Sequence, residues 1–357
     1  MKPYGLVLAG GGAKGAYELG AWKAMKEIGV TFSCAVGTSI GAINSAFIAA
    51  DDYEGALNFW NEISLDKGIK INIALPEPDN LFSAKNLPGL FKEFIKNGGI
   101  DASPTKDFLV RYIDEQKVRS GKVRFGMVTV QLAGMNPIEI FIDDIPQGQL
   151  IDHLLASAKI PGVNKTGPGT DGYIDGGVYD NAPSEMLRKN GYNRLIIVDI
   201  SSMKGIGHTK DFSCSEIVYI RPHNIDELGA AFDFDNELNE KRMLLGYYDT
   251  RKAFGYLSGR IYYFEGDNFT QLVHEFGAEA CSQLENLAYE LGLDKLRVYN
   301  KLEFMLSLKK LYADRESEPK SEEEAGGFYE NLLRRVGNYR TEKEYSQAIA
   351  VLDNLII

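Results

Sequence analysis

The chain has 357 residues, 44% of them hydrophobic, the composition of an ordinary globular protein with room for one large domain and an appendage, or for two domains. Its formal net charge of −11 disfavours nucleic acid as a partner, because phosphate binding rests on clustered Lys and Arg. An anionic membrane also repels such a chain on average, so peripheral contact with an inner membrane surface calls for a local apolar or basic patch.

Cys34, Cys214 and Cys281 are scattered, odd in number and without metal-like spacing, which points to a reducing, cytoplasmic setting and to no metal site. The N-terminus runs straight into a short apolar segment, with no room for a signal peptide. The apolar run from Ile43 to Ala50 falls far short of the roughly 20 residues a membrane span needs.

In chain order, Gly5 to Ala9 is a continuous apolar run that reads as a strand buried on both faces of a parallel sheet. Gly10 to Gly15 turns it into a helix from Ala16 to Ile28, with Leu19, Trp22, Met25 and Ile28 at helical spacing and Gly29 as C-cap. Cys34 to Gly37 is β-like, and Ile40 to Ala50 predicts a buried helix. Tyr53 to Ile63 predicts another helix. Asp66 to Gly99 mixes Pro, Asn and Gly and reads as an irregular surface excursion, with a lid as its functional alternative. Thr105 to Glu115 predicts a helix, and Arg124 to Leu132 with Asn136 to Ile142 an antiparallel hairpin.

Gln149 to Ala158 is again helical and ends before Pro161-Gly162. Tyr173 and Ile174 lead into Asp175-Gly176-Gly177, and Pro183 opens a helix through Arg188. Leu195 to Ile200 and Ile217 to Ile220 read as sheet strands that close an α/β core near Pro222. Beyond it, helical spacing runs through 236–254, 270–291, 293–312 and 328–336, with a charged linker at 314–327. The expectation is therefore an α/β fold with a mainly parallel central sheet flanked by helices (1–222) and a C-terminal helical appendage (223–357).

Gly10-Gly11-Gly12-Ala13-Lys14-Gly15 fits GxGxxG between a strand and a helix, a pattern shared by dinucleotide, phosphate and oxyanion sites. Glycines let backbone N–H groups face a ligand at a helix N-terminus, whose partial positive charge favours an anion. A Walker loop needs Gly-Lys-Ser/Thr, whereas Lys14 here precedes Gly15 and Ala16. A dinucleotide fold asks for an acidic residue after the second strand, where this chain has Gly37-Thr38-Ser39-Ile40-Gly41. That segment matches a nucleophile elbow, in which a sharp strand-to-helix turn exposes a serine and flanking glycines, Gly37 and Gly41, relieve crowding. The bland alternatives are close helix packing for the glycines and a helix cap for Ser39.

His153, His208, His223 and His274 have no motif around them. Asp175 has one, since Gly176 and Gly177 let its carboxylate lie close to a neighbouring loop; an Asx-type turn is the alternative. A carboxylate acting as base for a serine would need burial and strong oxyanion stabilisation.

Together these residues resemble the patatin-like phospholipase family. The glycine-rich loop Gly10 to Gly15, the elbow Gly37 to Gly41, an Ala-Ser-x-x-x-Pro block from Ala156 to Pro161 and Asp175 to Gly177 stand in the family's order. The resemblance implies a Ser-Asp dyad with Ser39 as nucleophile and Asp175 as base, an oxyanion loop at Gly10, Gly11, Gly12, Ala13 and Lys14, a lipid acyl-ester substrate and no cofactor. Lys14 stands where many members have Arg. The rivals are a conventional Ser-His-Asp α/β-hydrolase using His208, His223 or His274, and a non-catalytic nucleotide- or lipid-binding module.

Overall fold

The computed structural model describes residues 3–63, 103–131, 136–158, 173–175, 180–201, 216–231, 233–317 and 344–355. Its contacts group the chain into two compact units, Met1–Thr250 and Arg251–Ile357.

The first unit is built on a seven-stranded mixed sheet. The apolar run expected to be buried on both faces is β1 (Tyr4–Leu8), and every residue of it is buried. It lies between β2 (Phe32–Thr38) and β6 (Arg194–Val198), parallel to both. Parallel pairing continues outward to β3 (Arg124–Gln131) beyond β2 and to β7 (Glu216–Ile220) beyond β6. The order is β4-β3-β2-β1-β6-β7, with antiparallel β4 (Asn136–Phe141) at one edge and β5 (Tyr173–Asp175) also on β3. Strand order reverses direction at β1, so the crevice at its carboxyl end is the place where open α/β sheets bind ligands.

Helix α1 (Ala16–Glu27) follows β1 through a tight turn at Gly12–Gly15, and α2 (Ile40–Ala49) follows β2 directly, buried along its whole length. Next come α3 (Tyr53–Glu62), α4 (Ser103–Tyr112), α5 (Glu115–Ser120), α6 (Leu150–Ser157) and α7 (Ser184–Lys189). The helix expected over 105–115 thus ends at Tyr112 and a second begins after Asp114, whose carboxylate accepts from the Gln116 and Lys117 amides and forms a new N-cap. The segment 66–99 lies outside the described residues.

Helix α8 (Asn236–Ala253) crosses α1 at backbone contact. A Cβ on Gly20 would lie 1.8 Å from the Met243 carbonyl oxygen, and one on Gly246 1.9 Å from that of Tyr17. The Tyr17 hydroxyl donates to buried Asp249 at 2.8 Å, which locks the crossing. Residues 223–250, counted with the appendage on sequence alone, therefore make their contacts within the first unit.

The second unit carries α9 (Asn268–Phe276), α10 (Ala278–Glu290), α11 (Lys301–Ser317) and α12 (Ser346–Asn354). It is less purely helical than expected, because Leu257–Ser258 (β8), Tyr263–Glu265 (β9) and Val298–Tyr299 (β10) pair as a small sheet. The helix expected over 270–291 breaks at Gly277, φ 86°, and the one over 293–312 starts only at Lys301. The first residues of the expected linker, 314–317, belong to α11, and 328–336 lies outside the described residues. Buried Glu285 accepts the amides of Arg260, Ile261 and Tyr262, anchoring the turn into β9 over an aromatic core that includes Phe264 and Phe304. No helix among the described residues is long and apolar enough to cross a membrane.

Gly20→Ala drives a methyl group into the α8 backbone, and it is expected to cost about 1–3 kcal/mol of unfolding free energy, read from urea denaturation of the whole chain.

Candidate active site

Ser39 sits between β2 and α2 at φ 55° and ψ −123°. A left-handed φ is strained for a residue with a Cβ, at about 1–3 kcal/mol, and persists only where the surroundings impose it. They do so here by crowding. A Cβ on Gly37 would lie 2.2 Å from the Gly41 carbonyl carbon, and one on Gly41 2.4 Å from the Leu8 oxygen. These two glycines let α2 turn back over β1 and β2 within one residue of the strand end, and the serine takes the strained corner.

Ser39 is also held by a residue that sequence reasoning assigned no role. The Ser157 hydroxyl, at the end of α6, accepts the Ser39 amide at 2.9 Å and donates to the Val128 carbonyl of β3 at 2.7 Å. Ser157 is fully buried, so this relay ties the elbow to β3 without water. The Ala-Ser-x-x-x-Pro block had pointed at the residue, though not at its partners.

Asp175 reaches the same place by sheet register. β2 pairs with β3 as far as Thr38 opposite Val128. β4 occupies the other edge of β3 from Gly126 to Gln131. β5 therefore takes the edge that β2 vacates, with Asp175 opposite Thr129. Asp175 and the last residue of β2 face successive positions on β3, one residue rise of about 3.3 Å apart. Asp175 is buried. Gly176 and Gly177, expected to support its turn, lie outside the described residues.

The chain that follows closes the site from a third side. The Asp180 carbonyl accepts the Thr38 hydroxyl at 2.9 Å. Asn181 clamps Gly10 twice, its carbonyl accepting the Gly10 amide at 3.0 Å and its side-chain amide donating to the Gly10 carbonyl at 2.9 Å. Gly10 in turn lies against Ser39, since a Cβ there would be 3.3 Å from the Ser39 Cβ.

These bonds narrow the expected oxyanion loop. The Gly10 amide is taken by Asn181, the Ala13 amide by the Ala231 carbonyl at 2.7 Å and the Lys14 amide by Gly11 at 3.3 Å. The N–H groups of Gly10, Ala13 and Lys14 are thus already engaged with backbone carbonyls. The N–H groups of Gly11 and Gly12 meet no acceptor among the described residues, and neither does that of Ile40, which opens α2. Gly12 has φ 59°, a left-handed conformation that glycine adopts without a Cβ penalty. The Lys14 amine is held below its ordinary pKa, first by burial and then by the Arg242 charge, with Asp226 opposing.

Beneath the loop, burial pushes the Glu18 carboxyl well above the usual range; the Asn44 side chain and the Ala9 backbone lower it, and the Asp199 charge raises it again. Asn44 binds Glu18 at 2.8 Å, the Gly15 carbonyl at 3.0 Å and Trp60 Nε1 at 3.0 Å, joining α1, α2 and α3 under the site.

Two of the histidines, His153 and His223, are described in the first unit. His153 bonds the Gln149 carbonyl of its own turn. His223 is exposed and follows β7, whose end is three strand spacings, about 14 Å, from that of β2. His274 is exposed on α9 in the second unit, and His208 lies outside the described residues.

A sheet whose switch point carries a glycine turn and a serine elbow defines a hydrolase-type α/β unit, and the comparisons give its family. The model of the patatin-like phospholipases matches residues 6–188, and the chain belongs to this family. It is 51% identical over 47 residues to lysophospholipase nte1 of Aspergillus terreus, covering 13% of this chain and 3% of that protein. It is 23% identical over 214 residues to lysophospholipase NTE1 of Debaryomyces hansenii, covering 56% of this chain and 12% of that protein. The chain thus spans only a small part of the length of these relatives. Among solved structures, VipD from Legionella pneumophila aligns over 98% of this chain and 88% of that one, with 12% identity and a TM-score of 0.41.

A folded-state pKa raised above the unfolded value means that Glu18 contributes stability at low pH and loses it as pH rises from its ordinary value of 4.5 through the higher folded value. Urea midpoints measured between about pH 4.5 and 8 should therefore fall less steeply in Glu18→Gln than in the wild type. Ser157→Ala is expected to cost about 1–3 kcal/mol in the same assay at one pH, because it strands the half-buried Ser39 amide and the buried Val128 carbonyl.

Proposed function

We propose that this chain is a lipid acyl hydrolase that cleaves carboxylic esters through a Ser39-Asp175 dyad and an acyl-enzyme. The observation that supports the reading is the register on β3, where Asp175 pairs with Thr129, the position next to the one that pairs with Thr38, the residue before Ser39. Family membership and the names of the two lysophospholipases support a lipid ester as substrate class.

In the reaction Asp175 takes the Ser39 hydroxyl proton as Oγ attacks the ester carbonyl carbon. The carbonyl oxygen gains the negative charge and is met by the N–H groups of Gly11 and Gly12, with the α2 N-terminus adding a favourable dipole. When the tetrahedral species collapses, the ester C–O bond breaks and the Asp175 proton passes to the leaving alcohol oxygen. Water then attacks the acyl-serine, giving its proton to Asp175, and the proton returns to Oγ as the fatty acid leaves. A carboxylate is a weaker base than imidazole, so most of the barrier lowering falls to the preorganised amides.

With a lysophospholipid or a short-chain p-nitrophenyl ester, Ser39→Ala and Asp175→Asn should each lower kcat by about 100-fold or more while urea stability stays near that of wild type. His223→Gln and His274→Gln should leave turnover unchanged. Full activity in Ser39→Ala, or loss of activity in either histidine variant, would reject the dyad.

A further inference from the structure

We propose that Arg242 is a positioning residue for the oxyanion loop, acting through the carbonyl of Ala231. The inference rests on the oxyanion reading above and concerns residues outside the family-matched 6–188.

Arg242 lies on α8 in the first unit with no exposed surface. Its Nε donates to the Leu228 carbonyl at 2.7 Å, Nη1 to the Asp233 carbonyl at 2.6 Å and to Asn239 Oδ1 at 2.8 Å, and Nη2 to the Ala230 carbonyl at 3.2 Å. Three of these acceptors are main-chain oxygens of one short stretch, which is folded around the guanidinium. Gly229 closes that fold at φ 64°, where a Cβ would stand 3.3 Å from Nη2. Burying a guanidinium is costly unless its donors are matched, and only a planar fork with several N–H groups can serve carbonyls converging from different directions.

The wrapped stretch presents the Ala231 carbonyl outward, where it accepts the Ala13 amide at 2.7 Å. A Cβ on Gly12 would lie 2.1 Å from that same oxygen, so the Gly12 backbone rests on it. One carbonyl therefore fixes the Gly12–Ala13 peptide, immediately after the two N–H groups that meet no acceptor among the described residues. Oxyanion donors act only when held within a few tenths of an ångström of their place, and a shift of about 1 Å can cost as much as 100-fold in rate. Arg242 touches no reacting atom; it sets the height of the surface on which Gly12 sits.

The test compares Arg242→Gln with wild type, using fluorophosphonate titration so that turnover is expressed per labelled Ser39. The expected result is a kcat per site lower by about tenfold or more with KM within about twofold, and faster hydrogen exchange at the Ala13 amide than in wild type. A merely structural role would reduce the number of titratable sites at unchanged kcat per site, and that outcome overturns the proposal. Should Arg242→Gln not fold, exchange in the wild type decides: an Ala13 amide as protected as those of β1 supports the clamp, and one exchanging as fast as Gly11 and Gly12 overturns it. Failure of wild-type Ser39 to label would reject the serine hydrolase reading instead, with Ala13 exchange still reporting on the clamp.

Discussion

The site depends on how one edge of β3 is shared. β2 uses that edge as far as Thr38 and leaves it for α2, and β5 enters on the same edge at the next position. Because β4 fills the opposite edge, this is the edge of β3 left for β5. A one-residue slip of either strand would turn its side chains to the other face of the sheet. The register thus fixes where Asp175 stands relative to the end of β2, and in the dyad we propose it sets the separation of Ser39 and Asp175 before a substrate arrives.

The rest of the first unit holds this arrangement from outside it. Ser157 ties the elbow amide to β3, Asp180 and Asn181 tie the ends of β2 and β1 to the chain after β5, and Ala231 supports the glycine loop from the far side. Each bond spends a backbone group, and what is left over is informative. Among the described residues the Gly11 and Gly12 N–H groups meet no acceptor while those of Gly10, Ala13 and Lys14 do, so the oxyanion site we propose is only two peptides wide. The strain at Ser39 and the buried Glu18 carboxyl are costs carried by close packing of α1 and α2 on β1.

Much of this was legible in the sequence because it is local. The β1 and β2 strand-turn-helix units announce themselves by an unbroken apolar run, glycines and helical spacing, and the mainly parallel sheet, the β3–β4 hairpin, Ser39 and the candidacy of Asp175 follow from short motifs. What was not legible is long-range. Ser157 meets Ser39 across 118 residues and Asp180 meets Thr38 across 142, and no periodicity encodes such pairings. Strands β8 and β10, two residues each, are too short to show alternation. Which glycine-loop amides are engaged depends on Asn181 and Ala231, far downstream, which the motif alone does not reveal. The place of α8 was hidden for the same reason: its composition reads as part of a helical appendage, whereas Gly246 and Asp249 fasten it to α1.

A crystal structure of the chain after reaction with a fluorophosphonate tests the central claim most directly. The account predicts phosphorus bonded to Ser39 Oγ, a phosphoryl oxygen within about 3.1 Å of the Gly11 and Gly12 nitrogens, and the Asp175 carboxylate within hydrogen-bond reach of Oγ or the leaving-group position. Phosphorus on another residue, or a phosphoryl oxygen directed away from both glycine amides with Asp175 out of reach, would contradict it.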